Sequence, residues 1–513
     1  MMPFALALVL AAADGGSPPR LGVVVVIDQL GSSDLEVLER LGEPDFGGLE
    51  ARGAARFDAW YDHLATDTGP GHATLSTGAS PWVHGICAND WYAGKEKTYC
   101  VNDPAASVLG APRLGRSARF LEAPTLGDTL KAVSPQSRVV SVSYKDRSAI
   151  LMGGPSADVV LWYEPEVGRF TTSAAYAATV PAWAAPLVAA PERAFAEGTW
   201  SPLPGGAASK TQDARAGEAS VDGFGPVFPH DLRGVDPKSR PKAYRLTPAA
   251  MTDTFALAAA ALDGEQLGKR GVPDLLWISI SATDYAGHIW GPGSTEKVDL
   301  LQRTSQALRA FTRTLDEKVG RGGWVLMLSA DHGAAPLPEQ VSALRVHAGR
   351  VREGALLAAL RAEVPPALAG RVVGVGPPHV FLDEEGLAPE AVATLRAGAT
   401  RALARVEGVR APDALADAAR RAKYQARCGA VSVELAPFFV FTEDGHEGGI
   451  EHASGSAYDR RVPLFVLGPG VAAGRHPTAV SPNDLAPTLA RLLGIAPPAR
   501  AEGRPIAPAW RAP

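Results

Sequence analysis

Largely apolar runs that alternate with amphipathic stretches constrain the fold of this chain more than any other feature. Five runs have the length and the β-branched content of buried strands: 22–27, 138–143, 274–281, 324–330 and 462–468. Helical patterns follow several of them, at 32–41, 294–319 and 481–494. Such alternation is typical of a parallel sheet that helices cover on both faces. We therefore predict an α/β fold with a doubly wound, mainly parallel central sheet.

Two stretches interrupt this alternation and divide the chain. Residues 165–245 are rich in Pro, Gly, Ala and Trp without clean periodicity, which indicates a long ordered excursion. Residues 341–430 are rich in Ala and Arg and mostly helical in pattern, with one short strand at 379–383. We interpret them as an inserted cap or subdomain. The α/β core is then expected over 20–340, and its C-terminal part over 431–513.

The composition is that of a globular protein, and it narrows the range of partners. Apolar residue types make up 46% and charged types 20% of the 513 residues. The formal net charge is −5 and no run of Lys or Arg is present, which argues against nucleic acid or an anionic membrane surface as the partner. Beyond the N-terminus, no segment has ~18 uninterrupted apolar residues, so none is predicted to span a membrane.

The first residues resemble an export signal. An apolar run leads to three consecutive alanines, a small-residue end typical of a signal-peptidase site, although no Lys or Arg precedes the run. We predict a signal peptide at 1–13 and a periplasmic or secreted protein; the alternative is a frayed apolar tail. In an oxidising compartment Cys87 and Cys100, which are close in sequence, are expected to pair, leaving Cys428 as a buried free thiol. In the cytosol all three would stay thiols.

Acidic and histidine side chains stand at the ends of the predicted strands, where open α/β sheets bind their ligands. The residues concerned are Asp28, Asp284 with His288, Asp331 with His332, and His452 just ahead of the last strand. A lone Asp or His at such a place is usually a cap or a satisfied polar residue, but their joint arrival at one edge is hard to explain that way. Carboxylate and imidazole ligands suit zinc and similar divalent ions.

The segment 65–78, ATDTGPGHATLSTG, concentrates hydroxyl groups around a Gly-Pro-Gly turn. Pro70 suits the first turn of a helix, whose free N–H groups and positive dipole end favour a phosphate group. A threonine hydroxyl such as that of Thr68 is a poor nucleophile at neutral pH, and metal coordination would activate it. The other hydroxyls of the segment are interpreted as caps or helix-face residues, and His72 as structural.

Three further polar residues have two readings each. The amide of Asn89 is suited to donate to a phosphoryl oxygen, but it equally fits a turn. Lys145 and Arg147 stand at i, i+2 beyond a strand, where extended geometry would place both cations on one side and let them clamp a dianion. From the residues alone, a solvated edge explains these two cations as well.

Taken together, these motifs resemble the alkaline phosphatase superfamily, and within it the phosphate-irrepressible, monomeric (PafA-type) alkaline phosphatases. The motifs are Asp28, TGPGHA with Thr68, NDW with Asn89, YKDR with Lys145 and Arg147, TDYAGH with Asp284 and His288, ADHG with Asp331 and His332, and His452. The similarity runs from about residue 20 to the C-terminus. TGPGHA combined with KDR is fairly specific, whereas ADHG alone marks only the superfamily.

The resemblance implies two metal ions with separate ligand sets. One ion would be held by Asp284, His288 and His452, and the other by Asp28, Asp331, His332 and the oxygen of Thr68. The ions implied are zinc, and Asp/His ligation leaves manganese or iron open. His446 is the alternative to His452, because the His-Gly-Ser usual in the family is His-Ala-Ser-Gly-Ser here.

The activity implied is hydrolysis of small-molecule phosphate monoesters by a monomer. Thr68 would attack phosphorus, water would cleave the resulting phosphothreonine, and Asn89, Lys145 and Arg147 would hold the phosphoryl oxygens. A phosphodiesterase on the same scaffold is the alternative, and it depends on whether the two cations reach the phosphate. A sulfatase is disfavoured because Thr68 stands where sulfatases have a modified Cys or Ser. A catalytically silent binding protein is disfavoured by the intact ligand set.

Overall fold

The computed structural model describes residues 18–188, 191–196, 198–410, 425–445 and 448–507. The predicted signal peptide lies outside these residues. Within them, none of the helices is both long enough and apolar enough to cross a bilayer.

A nine-stranded sheet forms the centre of the described part of the chain. In order across the sheet, the strands are Gly474–Arg475, Ala55–Trp60, Arg461–Leu467, Trp324–Ser329, Leu21–Ile27, Asp274–Ile280, Val139–Ser143, Val159–Glu164 and Arg169–Thr171. Two of them, Arg461–Leu467 and Arg169–Thr171, run against the common direction. The prediction of a mainly parallel sheet is confirmed, but the last predicted strand, at 462–468, is antiparallel.

The middle of the sheet is covered on both faces. Every residue is buried in the four strands Leu21–Ile27, Val139–Ser143, Asp274–Ile280 and Trp324–Ser329. Because successive side chains point to opposite faces, burial of all of them requires helices on both sides. Gly22 faces the C-terminal helix Leu485–Leu492, since a Cβ there would lie 3.3 Å from Leu489. Leu21, on the opposite face, lies against Gly268, just beyond the helix Pro248–Gly264.

The other elements surround this sheet. The remaining helices are Ser32–Arg40, Thr68–Thr77, Pro81–His84, Leu126–Val133, Asp146–Gly153, Ala185–Val188, Pro191–Ala196, Arg240–Ala243, Ala282–Trp290, Thr295–Lys318, Pro338–Ala343, Glu353–Glu363, Pro389–Leu403, Gln425–Cys428 and Ala457–Arg460. Short 3-10 helices are Phe46–Gly48, Ala207–Lys210, Tyr244–Leu246, Pro366–Arg371 and Pro482–Asp484. The paired minor strands are Asp90–Ala93 with Glu96–Tyr99, Asn102–Val108 with Ala111–Arg116, Thr199–Trp200 with His230–Asp231, Gly349–Arg352 with Phe439–Thr442, Val372–Gly376 with His379–Leu382 and Val431–Ser432, and Val409–Arg410 with Glu434–Leu435.

A second hydrophobic core lies mostly in the stretch interpreted as an insertion. Its buried side chains run from Val351 to Phe441 and include Leu356 and Leu395 of two helices that pack against each other. The short strand expected at 379–383 is present as His379–Leu382. The stretch therefore combines helices with small sheets.

The disulfide of the described chain joins Cys87 to Cys428, whose Cα atoms are 5.0 Å apart across 341 residues of sequence. Cys100 is a buried free cysteine, and burial raises the pKa of its thiol well above the usual range. The predicted pairing of Cys87 with Cys100, and the predicted free thiol at Cys428, are wrong. The sulfur of Cys100 instead packs against Gly69 behind the helix Thr68–Thr77.

Cys428→Ser is expected to lower the free energy of unfolding of the oxidised protein by about 2–5 kcal/mol, because the cross-link restricts the unfolded chain. Thiol titration of the unfolded parent should find one reactive cysteine, and peptide mapping should place it at Cys100. The reduced parent is the control and should unfold like the variant. Three free thiols in protein prepared without reductant, or a mapped bond between Cys87 and Cys100, would contradict the structure.

Candidate active site

Four adjacent strands of the sheet end level with one another. Val26 pairs with both Ser279 and Ser329, and Ser279 pairs in turn with Ser143. Polar side chains follow each of these strand ends within a few residues. They are Asp28, Lys145, Asp284 and Asp331. The sheet register therefore brings three carboxylates and a cation to one place.

His452 reaches the same edge by a different route. It precedes the antiparallel strand Arg461–Leu467, whose first residues lie at the carboxyl edge of the parallel strands. Its ring centroid is 3.8 Å from that of His332 and 5.0 Å from that of His288. The alternative residue, His446, lies outside the described residues.

Carboxylate and imidazole atoms converge in three overlapping groups suited to metal ions. The groups are Asp284–His288–His452, Asp28–His72–Asp331 and Asp28–Asp284–His332, each with possible ligand atoms within 4.8 Å of one another. The first group is the set expected for one ion. Three of the four residues expected for the second ion, Asp28, Asp331 and His332, are distributed over the other two groups. These groups fit metal binding, and they do not by themselves identify the metal.

His72 takes part in one of these groups without a free ring nitrogen. Its Nδ1 lies 2.8 Å from the carbonyl oxygen of Thr68, and its Nε2 lies 2.8 Å from Oγ of Ser279. Nδ1 is also 3.2 Å from the carboxylate of Asp331. Because both nitrogens already have partners, the ring links the helix Thr68–Thr77 to the sheet. This geometry suits the structural role expected from the sequence.

The three histidines at the strand ends share one orientation. Nδ1 of His288, His332 and His452 lies 2.7, 2.9 and 2.8 Å from the carbonyl oxygens of Ile450, Gly333 and Thr66, respectively. A carbonyl oxygen only accepts hydrogen bonds, so Nδ1 carries the hydrogen in each ring. Nε2 is then the nitrogen whose lone pair can ligate a metal, in the arrangement usual for metal-binding histidines.

Several buried atoms of the site have no hydrogen-bond partner among the described residues. They are Asp28 Oδ1, Asp331 Oδ2 and His332 Nε2. Leaving a buried polar atom unpaired costs about 1–3 kcal/mol, so these atoms fit the ligands of a cation. Burial, together with the neighbouring charges of Asp284 and Asp331, raises the pKa of Asp28 well above its usual range. Divalent ions among these carboxylates would remove the repulsion between them.

Buried Asp284 and half-buried His288 form an ion pair, with 3.2 Å between Oδ1 and Nε2. Burial disfavours both charges, but the attraction of His288 and Lys145 holds the pKa of Asp284 well below its usual value. The pKa of His288 is raised to about 10, against its own burial, by Asp284 and then Glu451. A divalent ion bound here would replace the proton on His288 Nε2, so metal binding releases a proton.

Thr68 begins the helix Thr68–Thr77 and is buried beside two cations. Its Oγ1 lies 3.1 Å from Nζ of Lys145 and 3.4 Å from a guanidinium nitrogen of Arg147. Lys145 Nζ is also 2.8 Å from Asp28 and 2.5 Å from Asp284. The hydroxyl thus lies where the cations meet the carboxylates of the metal-binding groups.

The start of this helix differs from expectation in one respect. The N–H of Thr68 donates to Asp67 Oδ1 at 2.9 Å, and the N–H of Gly69 donates to Asn89 Oδ1 at 2.7 Å. The expectation that these N–H groups are free for phosphate is wrong, because two side chains cap them. The Nδ2 group of Asn89 also donates to Asp67, which leaves its second hydrogen for a ligand.

Arg147 also differs from the extended geometry expected for it. The helix Asp146–Gly153 begins directly after Lys145, so Arg147 lies in its first turn. Both cations nevertheless contact the hydroxyl of Thr68. The guanidinium of Arg147 also lies 3.3 Å from the hydroxyl of Tyr99, which donates to Asp146 at 2.5 Å. These contacts hold the arginine toward the threonine.

Residues 22–456 match the family described as type I phosphodiesterase / nucleotide pyrophosphatase. The chain belongs to this family. This family member is 29% identical to alkaline phosphatase PafA of Elizabethkingia meningoseptica over 525 aligned positions. The alignment covers 95% of this chain and 94% of PafA. Alkaline phosphatase PhoK of Sphingomonas sp is 31% identical, covering 93% and 89%. The predicted resemblance to the alkaline phosphatase superfamily is confirmed.

The fold of this type I phosphodiesterase family member agrees with that of a solved relative. The crystal structure of wild-type alkaline phosphatase PafA matches with a TM-score of 0.85 and 26% identity, covering 97% of this chain and all of that one. The match extends over both hydrophobic cores described above. The stretch interpreted as an insertion is therefore part of the shared architecture.

Sequence reasoning missed several residues that shape this phosphodiesterase-family site. Asp67 caps the helix of Thr68 and binds Asn89, and an Asp just ahead of a helix start is a recognisable N-cap signal. Gly71 lets the same helix approach the sheet, because a Cβ there would lie 2.8 Å from Cα of Asp331. The second glycine of the Gly-Pro-Gly turn was thus a signal for close packing. Gln29, which contacts two of the carboxylates, follows Asp28 without any sequence signal.

Proposed function

We propose that this chain is a metal-dependent alkaline phosphatase that hydrolyses small-molecule phosphate monoesters, with Thr68 as the nucleophile. The observation that carries the proposal is the position of the Thr68 hydroxyl, buried between two cations and the metal-binding carboxylates. The named activity of the two relatives, both alkaline phosphatases, supports it.

The proposed ions are two zinc ions, one held by Asp284, His288 and His452, and the other by Asp28, Asp331, His332 and Thr68. Such ions supply Lewis acidity and neutralise the charge that develops in phosphoryl transfer. The protein's part is to fix the ligands, because backbone carbonyls set the tautomers of the three histidines. Manganese and iron are the alternative ions.

The reaction then proceeds in two displacements at phosphorus. Thr68 Oγ1 forms a bond to phosphorus as the ester P–O bond breaks, releasing the alcohol and leaving a phosphothreonine. Water cleaves that ester, releases inorganic phosphate and restores the hydroxyl. Lys145, Arg147 and the remaining amide hydrogen of Asn89 bind the phosphoryl oxygens, and the dipole of the helix that begins at Thr68 favours the same negative charge.

A phosphodiesterase is the second candidate, because the matched family is described by that activity. The two activities differ in the charge at phosphorus. A monoester presents a dianion with three nonbridging oxygens, whereas a diester presents one charge, two such oxygens and a second organic group. Two cations on the nucleophile's hydroxyl match the two charges and the third nonbridging oxygen of the monoester. The structure therefore favours the monoesterase.

Lys145→Ala combined with Arg147→Ala is expected to lower kcat/KM for a phosphate monoester by roughly 10²–10⁴-fold, because charge-assisted contacts contribute about 1.5–3 kcal/mol each. Activity on a matched diester with the same leaving group should fall far less. The measurement is steady-state kinetics on both esters, with metal content determined for each protein because Lys145 also contacts two metal-binding carboxylates.

The control removes two exposed cations instead, by Lys95→Ala with Arg113→Ala, and should change neither rate. Equal losses on both esters at unchanged metal content, or a parent that prefers diesters, would move the assignment to phosphodiesterase.

A periplasmic or secreted location and a monomeric state are part of the proposal. The disulfide between Cys87 and Cys428 supports an oxidising compartment, where such bonds persist.

A further inference from the structure

We propose that Gln29 is a positioning residue that fixes the spacing of the two metal-binding groups, an inference that rests on the proposed metal site. Gln29 follows Asp28 directly and is fully buried. Its backbone N–H donates to Asp331 Oδ1 at 3.1 Å, and its side-chain Nε2 donates to Asp284 Oδ1 at 3.0 Å. One residue thus contacts carboxylates from both groups and is covalently attached to a third.

A buried lysine sets the orientation of the Gln29 amide. Nζ of Lys297 lies 3.0 Å from Gln29 Oε1 and 2.9 Å from its carbonyl oxygen. An ammonium group only donates, so the amide oxygen must face Lys297 and the amide N–H₂ must face the Asp284 carboxylate. Lys297 is itself fully buried and paired with Asp34 at 3.2 Å, so this orientation is anchored in the core.

The backbone of Gln29 is held in an unfavourable conformation. Its φ is 62°, in the left-handed region that costs a non-glycine residue roughly 1–2 kcal/mol. Residues in such conformations persist where surrounding contacts over-determine them, and they cluster at functional sites. Here the conformation allows one residue to present its N–H to Asp331 and its amide to Asp284 at the same time.

The neighbouring helix leaves space for this amide. A Cβ built on Gly287 would overlap Gln29 Oε1. Gly287 lies inside the helix Ala282–Trp290, where glycine is less favourable than alanine by about 1 kcal/mol. The glycine of the TDYAGH motif thus admits the Gln29 side chain next to Asp284, at the cost of helix stability. The space left at Gly287 supports a positioning role for the Gln29 amide, independently of its hydrogen bonds.

The contacts of Gln29 pair one oxygen of Asp331 and orient the oxygen of Asp284 that faces the histidines. Asp331 Oδ1 accepts from the N–H groups of Gln29 and His332, while Oδ2, 3.2 Å from His72 Nδ1, has no hydrogen-bond partner in the described part of the chain. Asp284 Oδ1, aligned by the Gln29 amide, lies 3.2 Å from His288 Nε2 and 4.0 Å from His452 Nε2. Loss of such supporting hydrogen bonds typically weakens metal affinity by about 10–100-fold.

The test is Gln29→Leu, which removes the amide at similar size but keeps the backbone N–H. Zinc affinity is measured by competition with a chromophoric chelator, on metal-stripped full-length protein, beside the melting temperature of the metal-free form. We expect at least one of two zinc equivalents to bind about 10–100-fold more weakly. Gln29→Met serves in the same assay if the leucine variant does not fold.

Gln302→Leu is the matched control, because this buried glutamine binds Ala207 and Glu43 away from the site. It should lower stability without changing zinc affinity. Unchanged affinity in Gln29→Leu, or an equal loss in Gln302→Leu, would overturn the role of Gln29 while leaving the metal site in place. A parent that binds no zinc, manganese or iron would instead overturn the proposed metal site, and this inference with it.

Discussion

Thr68→Ala is expected to lower kcat for phosphate monoesters by roughly 10⁴-fold or more, since removal of a covalent nucleophile stops the reaction that depends on it. The fold should survive, because Lys145 keeps two carboxylate partners without the threonine hydroxyl. Most of the metal affinity should also survive, since the six other proposed ligands remain. Steady-state kinetics, metal analysis and thermal unfolding of the variant measure these three outcomes.

Two further variants isolate the role of the hydroxyl. Thr68→Ser keeps the nucleophilic oxygen and should retain much of the activity. Thr77→Ala, at the other end of the same helix, removes a hydroxyl that bonds to Ala73 within the helix and to Ala79 in the following turn, and should have little effect on kcat. Acid quenching during turnover should trap phosphate on the peptide that contains Thr68. Phosphate on another residue, or an active Thr68→Ala, would refute the assignment.

Removal of the metals is expected to reduce activity to background, and about two zinc equivalents should restore it. Without the metal ions, the three buried carboxylates of Asp28, Asp284 and Asp331 outweigh the positive charge of Lys145 beside them. The metal-free site is therefore not arranged to bind a phosphate dianion. Activity and bound metal are measured during chelation and stepwise zinc addition. Restoration by manganese or iron but not zinc would show that the ions are misassigned.

Single histidine variants test the third ligand of the first ion. His452→Ala should weaken zinc binding strongly, because His452 lies with Asp284 and His288. His446→Ala should not, and neither should His476→Ala, whose ring stacks on Phe57 instead. If His446→Ala is the damaging change, the ligand has been chosen wrongly.

Much of the sheet could be predicted because its middle strands carry their own signal. The runs that end ahead of Asp28, Asp284 and Asp331 are buried on both faces, which requires continuous apolar sequence. The antiparallel direction of Arg461–Leu467 has no such signal, because burial looks the same in either direction. Strand patterns alone therefore do not predict that His452 approaches the other proposed ligands. The family motif predicts it, and the structure shows it.

Contacts between distant residues account for three further misses. Cys87 is nearer in sequence to Cys100, but the folded chain places it beside Cys428, which is 341 positions away. The N–H of Gly69 is capped by Asn89, twenty positions away, which local helix rules do not anticipate. Gln29 reaches Asp284 only because a parallel crossover places two strand ends side by side. Local patterns predict which residues reach the site edge, and tertiary packing decides how their polar atoms pair.

The covalent link between Cys87 and Cys428 also determines how the molecule responds to mechanical tension. The chain from Cys87 to Cys428, a sequence separation of 341, would extend to about 1,100–1,200 Å when stretched. Force applied at the two ends passes through the sulfur bridge and bypasses that length. Thr68 and Asp28 lie outside the bridged segment, whereas Lys145, Asp284 and Asp331 lie within it. Pulling would therefore separate the nucleophile from the other half of its site while most of the chain stayed unstretched.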